Sequence, residues 1–291
     1  MLRYLIIMLD ASAPSFCYYP DPPSGGDKMS LEVLRKAVYF AQTHAMGVNV
    51  LCAESPAKEM LEELDKINHI IIGPPSITCD FVWNIPILNA GEDLSAFAGN
   101  PDKNVILRTS MASLPNLPEA VRTLKGKFRR LNVVITDEWK MTTAQVAHFQ
   151  EILNDVGRYA DGVQISLVTD RGMLDKPSHC DAGVRHLTVA PDGRFYVCPG
   201  FFLEDHPDDS CGSLDEGVYI PIEELYRLDH APICRGCDAW QCKRCVWMNR
   251  KRTLEVNTPS RGQCITSHVV RNHALKDNPT PYLDPFELIG R

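Results

Sequence analysis

The sequence has little of what membrane insertion, nucleic-acid binding or the common nucleotide enzymes require. No apolar run approaches the roughly 18 residues of a membrane-spanning helix. The formal net charge of −7 disfavours binding to nucleic acid or to an anionic membrane. No G-x-G-x-x-G, Walker, H-E-x-x-H or nucleophile-elbow motif is present, so dinucleotide, nucleoside-triphosphate, zinc-protease and serine-hydrolase chemistry lose their usual support. We therefore expect neither a nucleic-acid partner nor a membrane partner.

An export signal is also missing from the sequence. The opening stretch is apolar but reaches Asp10 without a small-residue cleavage site, which is typical of a strand rather than a signal peptide. Thiols in the cytoplasm stay reduced and available to metals. We therefore expect a cytoplasmic protein whose cysteines bind metal rather than form disulfides.

Cysteine, by contrast, is concentrated in one part of the chain. Eight of the 11 cysteines lie in this part, at Cys180, Cys198, Cys211, Cys234, Cys237, Cys242, Cys245 and Cys264. The central four form two CxxC pairs within twelve residues. Two residues between sulfurs let a tight turn aim both thiolates at one ion or cluster, and the block is too compact for a loop-stapling disulfide framework. The spacing therefore predicts metal ligation.

Two kinds of metal centre compete for these cysteines. Zinc ribbons usually separate their CxxC pairs by about 12 to 20 residues, whereas only four residues separate Cys237 from Cys242. Eight thiolates make two four-cysteine sets, which suits two iron–sulfur clusters as readily as two zinc ions. Neighbours that would offset cluster charge or exclude water are Arg235, Lys243, Arg244, Trp240 and Trp247. The spacing favours clusters, and zinc is the alternative.

In order and type, the cysteines resemble the seven-cysteine SPASM extension of radical S-adenosylmethionine (SAM) peptide-modifying enzymes. The shared pattern is Cys180, a Gly193-x4-Cys198 hairpin, the four-cysteine block and a final Cys264. The chain departs from the family within the block, where the second and third gaps have four and two residues instead of five and three.

The resemblance implies two auxiliary [4Fe–4S] clusters with interleaved ligands. The first would be bound by Cys180, Cys198 and Cys245, with Cys211 as a fourth ligand. The second would be bound by Cys234, Cys237, Cys242 and Cys264.

Alternating strand and helix patterns precede the cysteines. Apolar runs predict strands at Tyr4–Leu9, Val48–Cys52, His69–Ile72, Val105–Leu107, Val133–Ile135 and Val163–Val168. Helical periodicity appears at Leu31–Ala45, Pro56–Ile67, Pro118–Leu131 and Thr143–Tyr159. This alternation predicts an α/β fold with parallel strands, in an open sheet or a partial barrel. With the resemblance, it implies a partial (β/α)6 radical-SAM-like barrel over residues 1–170 and a small SPASM-like iron–sulfur domain over residues 171–291.

The first strand-to-helix loop lacks the signature that the resemblance would require for catalysis. Radical SAM enzymes carry C-x3-C-x2-C there, but these positions are Cys17, Asp21 and Ser24. Asp and Ser are poor ligands for a soft iron–sulfur site, so we expect no SAM-binding cluster and no bound SAM. Cys17 is the one candidate near the ancestral catalytic site. Glu54 partly matches a cofactor-contacting glutamate of the family, but a solvated residue explains it equally well.

Other cysteines and histidines have simpler interpretations. Cys52 ends a predicted strand and is typical of a small buried hydrophobe. Cys79 follows the third strand, where it could face a barrel mouth or be idle. His179 and His186 flank Cys180, so they could support a cluster ligand, although packing or solvated roles are expected more often.

Three functions are compatible with these features. In the first, the chain is a partner, scaffold or electron-relay subunit that acts beside a radical SAM maturase on a ribosomally made, cysteine-containing precursor peptide. In this interpretation the chain resembles the CXXX repeat peptide maturase group. In the second, a partner completes a divergent radical enzyme at Cys17. In the third, the chain is a zinc-stabilised peptide-binding module. The sequence favours the first and leaves open whether the chain itself is an enzyme.

Overall fold

Strands and helices alternate along most of the chain, and the computed structural model describes residues 2–77, 84–204 and 206–276. The strands are β1 (Tyr4–Met8), β2 (Gly47–Leu51), β3 (His69–Gly73), β4 (Asn84–Asn89), β5 (Asn100–Thr109), β6 (Phe128–Ile135), β7 (Gln164–Ile165), β8 (His186–Val189), β9 (Arg194–Tyr196), β10 (Ser210–Ser213) and β11 (Gly217–Val218). The α-helices are α1 (Leu31–Thr43), α2 (Lys58–Leu64), α3 (Leu117–Leu124), α4 (Val146–Gly157), α5 (Ser166–Met173), α6 (Pro199–Leu203), α7 (Val246–Thr253) and α8 (Arg261–Ala274). None of the helices within these described ranges is long and apolar enough to cross a membrane.

The chain forms two units, each built from two separate segments. Unit 1 consists of Met1–Ile87 and Asp181–His230, and unit 2 consists of Leu88–Cys180 and Ala231–Arg291. These units group residues by their contacts. The division into residues 1–170 and 171–291 concerns function and ancestry instead, and it stays a prediction.

Unit 1 is built on a mixed sheet with the strand order β11-β10-β9-β8-β1-β2-β3-β4. The five strands from β8 to β4 in this order are parallel, and β9, β10 and β11 continue the sheet in antiparallel pairs. Leu5 and Ile7 of β1 are fully buried, as expected for a strand inside a parallel sheet. The predicted hairpin is confirmed: Val189 pairs with Phe195, and Gly193 supplies the positive φ of the turn at +84°.

Unit 2 contains the parallel strands β5, β6 and β7. Their inward residues, including Leu107 and Leu131, form one hydrophobic core with Phe149 of α4. Helix α8 joins the same core through Ile265 and Val269, although it follows β7 by almost a hundred residues. Helix α8, which carries Cys264, is therefore packed into the core of this unit.

The strand predicted at Val163–Val168 is wrong in its second half. Strand β7 ends at Ile165, and α5 begins at Ser166. The Ser166 hydroxyl accepts a hydrogen bond from the Val133 backbone N–H at 2.9 Å, so a side chain rather than the backbone continues the contact with β6. A polar side chain that bonds to backbone in this way competes with strand pairing, and the short apolar run gave no sign of the change.

The helix predicted at Pro118–Leu131 is also too long. Helix α3 ends at Leu124, and β6 begins at Phe128. Gly126 between them has a positive φ of +78°, a conformation that ends helices and favours glycine. The apolar residues after it therefore belong to a strand rather than to the helix face.

His186 is expected to give unit 1 a pH-dependent stability. Its ring stacks on Tyr4 with the centroids 4.8 Å apart, and burial lowers the pKa of His186 to about 4. The unfolded chain, with a histidine pKa of about 6.5, binds a proton that the folded chain excludes. As the pH falls from about 7 to about 4.5, this site should lower the free energy of unfolding by about 2–3 kcal/mol.

Urea unfolding at the two pH values checks this expectation. His186→Phe keeps a stacking ring but cannot titrate, so it should lose less stability on acidification than the wild type does. His148→Phe is the matched control, because His148 is exposed on α4. Equal losses for wild type and His186→Phe would contradict the assignment.

Candidate metal centre

The four cysteines predicted for the second cluster line one pocket in unit 2, called here the four-cysteine pocket. These residues are Cys234, Cys237, Cys242 and Cys264. The first three come from the loop before α7, and the fourth lies in the first turn of α8. Other polar residues that line the same pocket are His179, Arg244, Ser267 and His268.

Tight turns bring the loop cysteines to the pocket. The Cys237 backbone N–H donates to the Cys234 carbonyl at 3.0 Å, and the Cys242 N–H donates to the Ala239 carbonyl at 2.9 Å. The sulfurs in turn accept backbone hydrogen bonds: Ala239 N–H to Cys237 Sγ, and Arg244 N–H to Cys242 Sγ, each at 3.4 Å. Such turns direct the sulfurs toward the pocket, and nearby backbone N–H groups donate hydrogen bonds to two of them.

Helix α8 brings Cys264 to the pocket from the core side. The helix begins after Ser260, whose hydroxyl accepts a hydrogen bond from the Gln263 N–H and caps the first turn. Gly262 lies so close to residue 139 that a β-carbon there would stand 2.1 Å from the Trp139 carbonyl oxygen. The absence of a side chain at Gly262 thus lets α8 approach this backbone. This approach helps to set the position of Cys264, two residues further along the helix.

Charged side chains hold the loop between Cys237 and Cys242. Asp238 forms an ion pair with the buried Arg271 of α8. The Arg171 guanidinium donates to the Asp238 carbonyl at 2.7 Å and lies 4.2 Å from the centre of the Trp240 ring. Two elements of unit 2, α5 and α8, thereby hold the loop at Asp238.

The segment Ser178–Cys180 runs beside the loop. The hydrogen bonds that join them include Ser178 N–H to Trp240 O at 2.8 Å, His179 Nδ1 with Cys242 O at 2.8 Å, Cys180 N–H to Lys243 O at 3.0 Å and Lys243 Nζ to Ser178 O at 3.3 Å. Of the two histidines near Cys180 in sequence, His179 therefore supports the candidate ligand Cys242, because its ring bonds to the backbone carbonyl of that residue. His186 packs on Tyr4 in unit 1 instead.

Burial makes thiolate charge unfavourable in the four-cysteine pocket. Loss of solvation raises the pKa of Cys234 to about 12 and that of Cys242 to about 11, and it also raises the pKa of Cys237. The pKa of Cys264 is raised first by burial and then by repulsion from the other three thiolates. The thiols are therefore protonated at neutral pH unless a cation offsets their charge.

Two buried residues adjust the charge of the pocket. Arg244 is only 1% exposed, and its positive charge acts against the burial effect to lower the pKa of Cys234. Its backbone has a positive φ of +44°, which is unfavourable for an arginine and directs its N–H to Cys242 Sγ. Glu138 lies near Cys242 and Cys264, and burial raises its pKa to about 8. At neutral pH it is mostly uncharged and adds little negative charge.

The four thiols are of the chemical type that binds a metal ion or cluster, but their side chains do not yet point at one centre. Within residues 2–77, 84–204 and 206–276, no three His, Cys, Asp or Glu side chains already converge to metal-binding positions. The four thiols face the same pocket and are soft ligands of the type that iron–sulfur clusters and zinc prefer. Binding therefore requires the cysteine side chains to turn toward a common centre.

The cysteines predicted for the first cluster are divided between the two units. Cys198 and Cys211 belong to unit 1, and Cys180 and Cys245 belong to unit 2. The Cys211 thiol lies 3.8 Å from the Asp209 carbonyl, and burial raises its pKa to about 11. The Cys245 sulfur accepts the Met248 N–H at 3.4 Å at the start of α7. Their grouping as one ligand set stays a prediction.

The loop after β1 holds Cys17 in unit 1. Its N–H donates to the Ser15 hydroxyl at 3.3 Å, while Asp21 accepts the Ser15 backbone N–H at 2.8 Å. Asp21 thus serves the loop backbone. Burial raises the pKa of Tyr19, and negative charge on the nearby Cys17 and Cys198 would raise it further.

The remaining candidates have ordinary surroundings. Glu54 forms an exposed ion pair with Lys28, in agreement with the solvated interpretation. Cys52 is 1% exposed in the core of unit 1, as a small hydrophobe would be. Cys79 lies outside the described residues.

His268, Ser267 and Glu138 were not identified from the sequence. His268 stands four residues after Cys264, a helical C-x3-H spacing that places both on one face and could have revealed it. Ser267 lines the pocket, and its side chain acts to lower the pKa of Cys242 against the larger effect of burial. Glu138 had no such signal, because it reaches the pocket only through tertiary packing.

The fold, but not the sequence, has recognisable similarity to known proteins. No protein-family model and no curated protein matches the sequence. The structure of anSMEcpe with bound AdoMet and Cp18Cys peptide matches with a TM-score of 0.60 and 13% identity, covering 95% of this chain and 97% of that one. SuiB of Streptococcus suis, bound to precursor peptide SuiA, matches with a TM-score of 0.54 and 11% identity, covering 90% of this chain and 76% of that one.

These likenesses concern the fold alone. The chain has a mixed α/β fold with a parallel sheet that resembles radical SAM enzymes, together with a cysteine-rich C-terminal region. Its architecture is therefore similar to that of radical SAM/SPASM peptide maturases at low sequence identity.

Substitution at Gly262 should test how α8 is seated. Gly262→Ala would force the helix away from the Trp139 carbonyl, and overpacking of this kind typically costs about 1–3 kcal/mol of unfolding free energy. Gly236→Ala is the matched control, because a β-carbon there meets no atom within 4 Å. Denaturant unfolding of both variants measures the difference, and equal stabilities would show that the close approach is unimportant.

Proposed function

We propose that this chain is a radical-SAM-like SPASM protein that binds two auxiliary [4Fe–4S] clusters and has no SAM-binding cluster of its own. It acts as a partner, scaffold or electron-relay subunit for a radical SAM maturase, in the maturation of a ribosomally made, cysteine-containing peptide. In this proposal the parallel strands form a partial (β/α)6 barrel, and the cysteine-rich segment is the cluster-binding region.

The observation that carries the proposal is the four-cysteine pocket. Cysteines separated by as many as 30 residues face one pocket, in the grouping expected for one complete cluster. Backbone N–H groups point at Cys237 and Cys242, and Arg244 places a buried positive charge beside Cys234. These are features that stabilise a negatively charged, thiolate-bound cluster.

The first loop supports a role without radical initiation. A SAM-binding cluster needs three thiolates, whereas the corresponding positions hold Cys17, Asp21 and Ser24. Asp21 already accepts a hydrogen bond from the loop backbone, and Ser24 is exposed. One thiolate cannot hold such a cluster, so the chain would depend on a partner for radical chemistry.

The peptide assignment is supported by similarity of fold. The similar structures of anSMEcpe and SuiB were each solved with a peptide bound. A chain of this fold that has lost the SAM-binding cluster could still bind a peptide or dock on an active maturase. A bound cluster would supply one-electron transfer, while the residues of this chain hold it, exclude water and set its surroundings.

Metal analysis of the anaerobically purified chain tests the proposal. We expect iron and acid-labile sulfide near eight per monomer each, which corresponds to two [4Fe–4S] clusters, and no cleavage of SAM by the chain alone. About twelve irons with SAM cleavage would show that the chain is itself a radical enzyme. About two zinc ions without sulfide would show a structural zinc protein instead.

Loss of one pocket cysteine should remove one cluster. Cys237→Ala is expected to retain about four irons and four sulfides and to unfold at lower denaturant concentration, because ligation and folding are coupled in metal sites. Cys52→Ala is the matched control: it removes a buried thiol from unit 1 and should leave the iron content unchanged. A Cys237→Ala protein with full iron and unchanged stability would contradict the assignment of the pocket.

A further inference from the structure

His268 reaches the four-cysteine pocket from the same helix face as Cys264. The two residues are four positions apart on α8, so their side chains leave the helix one turn apart on one side. The imidazole is buried, with 4% exposure, and its Nε2 atom lies 3.4 Å from Cys237 Sγ. Helix α8 therefore contacts the CxxC loop through a ring nitrogen as well as supplying a cysteine.

The direction of this contact follows from the chemistry of sulfur. A metal-bound thiolate has lone pairs and no proton, so it can only accept, and the proton of the bond must be on Nε2. The backbone N–H of Ala239 also donates to Cys237 Sγ, at 3.4 Å. Two N–H groups from different elements thus point at one sulfur, one of them carried by a side chain that can be replaced.

Hydrogen bonds of this kind affect the energy of the metal centre more than its assembly. A donor near a cluster sulfur favours the reduced state, which carries one more negative charge, and so raises the reduction potential. Four thiolates already complete the ligand set of a [4Fe–4S] cluster, so His268 is not needed as a ligand. Its position instead suits control of the charge on Cys237.

We propose that His268 is a positioning residue that donates an Nε2–H hydrogen bond to Cys237 Sγ and thereby raises the reduction potential of the cluster in the four-cysteine pocket. This inference depends on the proposed function, since it requires an iron–sulfur cluster at these cysteines. It adds to the predicted cysteine ligands a histidine of this chain that tunes the cluster without binding it.

Three variants of the full chain, prepared anaerobically, test the inference. His268→Leu removes the donor while keeping an apolar side chain in the buried site. His268→Gln keeps an N–H group at a similar reach. His273→Leu is the matched control, because His273 is also a buried histidine of α8 but is not among the residues that line the pocket. For each protein, iron and sulfide are counted, and the cluster midpoint potentials are measured by redox titration with electron paramagnetic resonance.

We expect all three variants to retain wild-type iron and sulfide. His268→Leu should lower the midpoint potential of the cluster in the four-cysteine pocket by about 40 mV. At the wild-type midpoint, the ratio of reduced to oxidised cluster is then lower by about fivefold, because a one-electron couple changes tenfold per about 59 mV. His268→Gln should lie between His268→Leu and wild type. His273→Leu should match wild type, and the first cluster, predicted at Cys180, Cys198, Cys211 and Cys245, should not shift in any variant.

The outcomes separate the two proposals. Wild-type protein without iron and sulfide would overturn the proposed function, and this inference with it. Full iron and sulfide with equal potentials in wild type and His268→Leu would overturn only the role of His268. Loss of iron in both His268 variants would show that the imidazole is a ligand or a structural support rather than a tuning residue. An equal shift in His273→Leu would show a general effect of replacing a buried histidine of α8, and would overturn the role of His268.

Discussion

Four half-buried thiolates in one pocket would repel one another, and the structure of unit 2 depends on how this repulsion is met. Loss of solvation and mutual repulsion both act on Cys264, the residue that α8 contributes. Arg244 offsets part of the charge, and Glu138 is kept mostly protonated by its own burial. The pocket can therefore exist with neutral thiols or with a bound cation, but not with four free thiolates. A binding site with these two states couples its occupancy strongly to protonation.

Helix α8 is part of the hydrophobic core and part of the pocket at once. Ile265 and Val269 are buried among the residues of unit 2, while Cys264 and His268 face the thiols. Gly262 sets the distance between the helix and the Trp139 backbone. A change in the position of the helix would therefore move a candidate ligand, a candidate hydrogen-bond donor and core side chains together. Stability and metal binding in this unit share one structural element.

Much of this architecture could be predicted from the sequence, because the signals were local. Alternating apolar runs identified most of the parallel strands, and Gly193 marked the turn of the hairpin. The CxxC spacing likewise identified the loop side of the pocket. The end of β7 was missed because it depends on a side-chain hydrogen bond of Ser166 to another strand. Arg244 was noted as a possible counter-charge, but its complete burial, like the arrival of Glu138 at the pocket, arises only from tertiary packing.

Unit 2 is interrupted in sequence by Asp181–His230, and this arrangement dictates an order of events during synthesis. The ribosome makes β5, β6 and β7 well before it makes α8, so the core of this unit waits without its last helix while the intervening residues of unit 1 are translated. Cys234, Cys237 and Cys242 also emerge before Cys264. Delivery of a metal or cluster to the complete set must therefore follow synthesis of α8, and until then the unfinished core and three unprotected thiols are exposed to chaperones and oxidants.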